Sequence, residues 1–122
     1  PLAGALLLAG VDLRGREVLV AGGGAVAERR VKRLLEGGAE RIRIVAPEVT
    51  PSLDGLIREL GPPRLIWFGR NVEPTADVVG ACLVVAATPD PQVNEALGAA
   101  ARAAGAWINR ADDSEAGDFV FP

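Results

Sequence analysis

The chain has no histidine and a single cysteine, Cys82, in its 122 residues. An internal disulfide is therefore impossible, and a zinc centre of the usual Cys/His kind is excluded. Without imidazole, acid–base work near neutral pH falls mainly to carboxylates. No run of 18 or more consecutive apolar residues occurs, so no membrane-spanning helix is indicated. Positive charge is not in excess: 13 Lys and Arg against 16 Asp and Glu leave a net charge of −3. Bulk charge thus gives no argument for nucleic acid or a membrane as partner, and an anionic ligand must be held by a local feature. Aromatic residues make up only 4%, which suits a core of small and branched side chains. There is no internal repeat and no low-complexity linker. The start, Pro1-Leu2, lacks the basic segment of a signal peptide and reads as the beginning of a trimmed chain, which points to a cytoplasmic location.

What is present is apolar and periodic. Hydrophobic residues make up 49%, and the length suits one domain, residues 1–122, that removes roughly 65–70% of its unfolded surface from water. Strand and helix patterns alternate, as in βαβ units around a parallel sheet. Glu17–Ala21 reads as a buried first strand. Ala27, Val31, Leu34 and Leu35 share one helix face, and Gly37-Gly38 ends that helix. Arg41–Ala46 reads as a second strand. Thr50-Pro51 starts a helix whose apolar face is Leu53, Leu56, Ile57 and Leu60. Leu65–Phe68 and Ala81–Ala87 are the third and fourth strands. Asp90-Pro91 opens a helix that runs to about Ala104, Ala106–Ile108 is a fifth strand, and Phe119–Phe121 begins a sixth. Right-handed crossovers give a doubly wound α/β sheet in the order 3-2-1-4-5-6, a Rossmann fold.

The chemistry centres on Gly22-Gly23-Gly24-Ala25-Val26-Ala27, a G-x-G-x-x-A pattern between a predicted strand and a predicted helix. Gly22 permits the tight turn, Gly24 lets the backbone approach a pyrophosphate, and Ala27 lets the helix pack closely on the sheet. The helix N-terminus then offers free N–H groups and its positive dipole end to an anion. The alternative is a tight turn without a ligand. Glu48, just past the second strand, is either the acidic residue that binds ribose hydroxyls or an exposed loop carboxylate. No arginine directly follows that strand to hold a 2′-phosphate, which favours NAD over NADP. Thr88 lies at the carboxyl edge of the sheet, where such folds bind ligands, or serves only to start the helix with Asp90. In Asn109-Arg110-Ala111-Asp112-Asp113 the paired carboxylates either do acid–base work or form a solvated turn. Cys82 reads as an inert core residue, and Trp67 and Trp107 as core or rim packing. The basic residues Arg29, Arg30, Lys32 and Arg33 read as a solvated face, with attraction of an anionic substrate as the sharper alternative.

Four segments carry a family likeness: DLRGREVLVAGGGAVAERRVKRLLEGGA (Asp12–Ala39), IVAPE (Ile44–Glu48), VVAATPDPQVN (Val84–Asn94) and INRADDSEAGDFVFP (Ile108–Pro122). In these the chain resembles the precorrin-2 dehydrogenase and ferrochelatase domain of siroheme synthase. The resemblance implies an oxidoreductase that converts precorrin-2 to sirohydrochlorin with NAD⁺ as hydride acceptor. Many members also insert Fe²⁺ as a substrate, without a fixed metal site. It places the key carboxylate, a general base, at Asp112, and the NAD contacts at Ala25-Val26 and Pro47-Glu48. Arg110 and Arg29 are candidate partners for the substrate carboxylates. It further implies a homodimer, and a chain that continues past Phe121-Pro122 into a dimerisation and helical region forming part of the tetrapyrrole cleft. The sequence departs from the pattern at Ala116-Gly117, where many members have Leu-Cys. A non-catalytic, nucleotide-sensing domain is the competing reading.

Overall fold

A computed structural model describes residues 6–121 of the protein. The readings of Pro1-Leu2 and Pro122 lie outside these residues. The chain runs β1 (Glu17–Ala21), α1 (Ala25–Glu36), β2 (Arg41–Val45), α2 (Pro51–Leu60), β3 (Leu65–Phe68), α3 (Pro74–Asp77), β4 (Ala81–Ala86), α4 (Pro91–Ala103) and β5 (Trp107–Arg110), then a 3₁₀ turn at Ser114–Ala116. All strand pairs are parallel, in the order β3-β2-β1-β4-β5.

The strands are apolar on both faces because helices cover both. Val18 and Val20 of β1, Ile42 and Ile44 of β2, and Leu83 and Val85 of β4 share one core layer with Ala27, Val31 and Leu34 of α1 and Leu53 of α2. The alternate residues, Leu19, Ala21, Val45, Val84 and Ala86, share the other with Leu97 and Ala101 of α4. This period of two, with both phases apolar, is what a doubly covered parallel sheet requires. Leu53 and Leu97 are fully buried, each contributing roughly 1.5–3 kcal/mol by leaving water.

The helix starts follow their cap chemistry. The Thr50 side chain accepts from the Leu53 N–H, and Asp90 accepts from the Gln92 N–H, each followed by proline in the first turn. The short α3 has no counterpart in the sequence reading, since four residues carry no helical period.

The expected sixth strand is not formed among the described residues. Phe119 and Phe121 pack as irregular chain against the first core layer, with their ring centroids 5.6 Å apart and the Arg30 guanidinium 5.0 Å from the Phe121 ring. Asp118 has taken the outer edge of β5. Its N–H donates to the Ile108 carbonyl at 2.7 Å, and its carboxylate accepts from the Ile108 N–H at 3.1 Å. A side chain fills an edge position that a sixth strand would otherwise pair with.

Candidate functional site

From β1 the chain winds outward one way through β2 and β3, and from β4 the other way to β5. The loops after β1 and β4 therefore diverge, and a crevice opens where they part, at the carboxyl ends of the strands. A cleft of about 1020 Å³ occupies this place. Its walls are the glycine loop, the loops after β2 and β4, and Asn71 and Val72 after β3.

Gly22 turns the chain out of β1 at φ 127°, a conformation that side chains other than glycine rarely adopt. A Cβ here would also collide with the Ala87 carbonyl, and one on Gly23 with the Glu48 carbonyl. The loop is thus pressed between two neighbouring loops. The Gly22 N–H donates to Val45 at 3.0 Å, and the Thr50 N–H to the Gly23 carbonyl at 2.9 Å. Gly24 differs, since a Cβ on it would stand in open space.

Gly24 caps α1 without any side-chain hydrogen bond. The first helical bond is Glu28 N–H to the Gly24 carbonyl, 2.9 Å. The N–H groups of Ala25 and Val26, both lining the cleft, consequently have no partner within the helix. Backbone donors at the positive end of a helix, beside an open glycine, fit the pyrophosphate of a dinucleotide. A partly exposed network braces the start of the helix. The Glu28 carboxylate accepts from the Thr50 hydroxyl at 2.6 Å and from Lys32 at 2.9 Å, and these two hold its pKa down to about 2.

The residues expected at a cofactor site, Gly22, Gly24, Ala25, Val26, Pro47, Glu48 and Thr88, all line this one cleft. Glu48 is exposed in its wall. Thr88 is placed in the cleft wall and also takes part in the entry to α4. Its hydroxyl donates to Asn94 Oδ1 at 2.7 Å and accepts from the Asp90 N–H at 3.3 Å. Asn71 and Val72 were not foreseen. Their loop is held by Asp77, almost fully buried, which accepts from Arg70 twice at 2.8 Å and from the Glu73 N–H at 2.7 Å.

Asp112 stands at the same edge of the sheet but is not among the residues lining the cleft. It follows β5 and is gripped by Arg110, with Nε at 3.1 Å from Oδ1 and Nη2 at 2.9 Å from Oδ2. Arg110 holds the carboxyl below the usual carboxylate range against an opposing effect of burial, and Asn94 adds to the lowering. Asp112 is thus ionised at neutral pH. The candidate substrate partner Arg110 is engaged with it, whereas Arg29 is exposed on α1. Cys82 is half-buried at the opposite edge, beside a smaller cavity of about 370 Å³; burial pushes its thiol up, away from nucleophilic use. Among the described residues, no group of three or more Cys, Asp and Glu side chains is placed to hold a metal ion. No helix among them is long and apolar enough to cross a membrane.

A family model with the description "Putative NAD(P)-binding" matches residues 9–122. The chain belongs to this family. It is 41% identical over 110 residues to a siroheme synthase of Pseudomonas putida, covering 90% of this chain and 23% of the relative. It is 37% identical over 111 residues to a siroheme synthase of Mannheimia succiniciproducens, covering 91% and 22%. The fold matches that of a solved structure, SirC, precorrin-2 dehydrogenase, with a TM-score of 0.81 at 30% identity, over 96% of this chain and 55% of that one. The likeness read from the four motifs is thereby borne out, as is the Rossmann-type α/β fold. The chain spans less than a quarter of the length of the two siroheme synthases.

Proposed function

We propose that this chain is the dinucleotide-binding domain of an enzyme that oxidises precorrin-2 to sirohydrochlorin in siroheme biosynthesis, with NAD⁺ as acceptor. The observation that carries the reading is the open Gly24 and the unpartnered Ala25 and Val26 N–H groups at the switch point of the sheet. When bound, NAD⁺ supplies the hydride acceptor. The chain's own residues hold and orient it: the first turn of α1 takes the pyrophosphate, and Pro47-Glu48 meets the adenosine ribose. With an acid and no base after β2, the cleft favours NAD over its 2′-phosphorylated form. Asp112, ionised and on the same edge, is the group to accept the proton released as precorrin-2 loses a hydride and a proton. Exposed Arg29 is a candidate partner for the substrate's carboxylates.

Insertion of Fe²⁺ as a second substrate, a homodimeric assembly and a cytoplasmic location extend the same reading. The competing reading, a non-catalytic nucleotide sensor, draws on one observation: Asp112 is paired with Arg110 rather than lining the cleft. Turnover separates the two. The full-length protein is incubated with precorrin-2 and NAD⁺, and sirohydrochlorin and NADH are followed by absorbance. Formation of both, with loss of about 10²-fold or more in Asp112→Ala, supports the dehydrogenase. NAD⁺ binding without turnover supports the sensor. The same assay with Fe²⁺ tests chelation.

A further inference from the structure

The nucleotide cleft and Asp112 are carried by different loops at one edge of the sheet, and Asn94 of α4 is hydrogen-bonded to the first of them. Asn94, in the first turn of α4, is fully buried. Its Oδ1 accepts from the Thr88 N–H at 3.1 Å and the Thr88 hydroxyl at 2.7 Å, and its Nδ2 donates to the Thr88 carbonyl at 3.0 Å. All three polar groups of Thr88 are thus fixed by one amide, and Thr88 forms part of the cleft wall. An amide nitrogen carries two hydrogens, and Thr88 uses one.

The loop after β5 is drawn against the same place. The Ala111 N–H donates to the Ala86 carbonyl at 3.0 Å, which seats residue 111 beside the end of β4. Arg110 lies along α4 one turn beyond Asn94: a Cβ built on Gly98 would meet its Cδ at 3.8 Å. Residues 94 and 98 share a helix face. From there Arg110 reaches forward to both oxygens of Asp112. The charged groups around the pair are Arg110 on β5, Asp113 on the same loop and Glu95 on α4. The Asn94 amide joins Arg110 in lowering the Asp112 carboxyl.

We infer that Asn94 is a positioning residue that holds the Thr88 wall of the nucleotide cleft and the Asp112 carboxylate in one frame. The side-chain chemistry explains why an amide stands here. A serine lacks the reach to serve the N–H, hydroxyl and carbonyl of Thr88 together. An aspartate lacks the donor and would set a second carboxylate beside Asp112. In kinetic terms the inference rests on the dehydrogenase reading, because only there does the distance from cofactor to Asp112 govern a rate.

The test uses Asn94→Ser and Thr88→Val, with three measurements on each protein: the Kd for NAD⁺, the NMR titration of the Asp112 carboxyl carbon in the ligand-free protein, and kcat with precorrin-2. Asn94→Ser is expected to raise the NAD⁺ Kd about tenfold and to move the Asp112 titration to higher pH. It is also expected to lower kcat about 10²-fold while KM for precorrin-2 changes less than about threefold. Thr88→Val removes only a hydroxyl two steps from Asp112, and is expected to move the same titration upward, by less than Asn94→Ser does, because Asn94 loses the shortest of its three bonds to Thr88 and keeps the two to the backbone. An Asp112 titration that stays put while the NAD⁺ Kd rises would make Asn94 a prop for Thr88 alone and overturn the inference. If Asn94→Ser does not fold, the Thr88→Val titration decides in the same way. A parent protein without turnover, whose Asp112 titration still responds to both substitutions, would sink the dehydrogenase reading and leave the coupling standing.

Discussion

Replacing Gly24 by alanine separates the needs of the ligand from the needs of the fold. No heavy atom lies within 4 Å of the Cβ that would be added, and φ −85°, ψ −167° is open to any residue. Two small effects on stability oppose each other. Alanine restricts the unfolded chain, stabilising by about 0.4–1 kcal/mol, and it is a poorer N-cap than glycine, by an amount on the order of 0.5–1 kcal/mol. The net is within about 1 kcal/mol, so Tm should move by no more than about 4 °C. The methyl group would stand where a pyrophosphate must approach the Ala25 and Val26 N–H groups. Loss of one charge-assisted hydrogen bond, about 1.5–3 kcal/mol, weakens NAD⁺ binding roughly 10- to 150-fold. Gly22→Ala is the contrast. Its φ of 127° and the Ala87 carbonyl carbon 2.7 Å from the added Cβ bring backbone strain of about 1–3 kcal/mol and overpacking of about 1–3 kcal/mol. Against a domain stability of about 5–15 kcal/mol, that is a large loss. Thermal melts and calorimetric titration with NAD⁺ on both variants check the reasoning. It fails if Gly24→Ala binds NAD⁺ like the parent, or melts as early as Gly22→Ala.

Three further outcomes follow from the same contacts. Glu28 has its folded-state pKa lowered from 4.5 to about 2 by Thr50 and Lys32, so its contribution to stability is complete above pH 4.5 and fades as pH falls toward 2. Glu28→Gln should therefore melt lower than the parent at pH 7, and the gap should narrow in paired melts at pH 3. Asp77→Asn removes the negative charge facing Arg70 and leaves one acceptor oxygen for the three donors of Arg70 and the Glu73 N–H; it should cost about 1–3 kcal/mol in urea unfolding. NAD⁺ affinity should fall with it, since the same loop carries Asn71 and Val72 into the cleft. Leu53→Ala, at a fully buried position, should cost about 2–5 kcal/mol in the same unfolding experiment, with NAD⁺ affinity in the folded protein unchanged.

Local pattern was enough for most of the scaffold. β1 and β3 fall where their apolar runs stand, and α1, α2 and α4 start and stop at the caps their residues provide. The glycine loop was legible because Gly22 answers a local demand, a turn at positive φ, and because the run stands between a strand pattern and a helix pattern; that Gly23 is pressed against the Glu48 carbonyl was not legible. Asn71 and Val72 were not, because nothing in a short polar loop records which cleft it will border. Asn94 left a signal that could have been followed. It lies on the α4 face shared with Leu97 and Ala101, and a polar residue on an apolar face needs partners.

By itself, then, the sequence determined the alternation of elements, the two apolar phases of β1 and β4 and the presence of a glycine turn between a strand and a helix. These depend on backbone conformation and on whether a side chain faces water, and both are written into neighbouring residues. Tertiary structure decided the choice of partners. It turned Thr88 toward Asn94, locked Asp112 to Arg110, braced the loop after β2 through Glu28, and gave the β5 edge to Asp118 in place of a sixth strand. The Glu28–Thr50 contact joins groups 22 residues apart that meet only once β1 and β2 pair, whereas the others lie within ten residues and are selected by the fold from several partners near in sequence. A polar side chain has several partners of similar strength available, and only the assembled sheet brings one of them within reach.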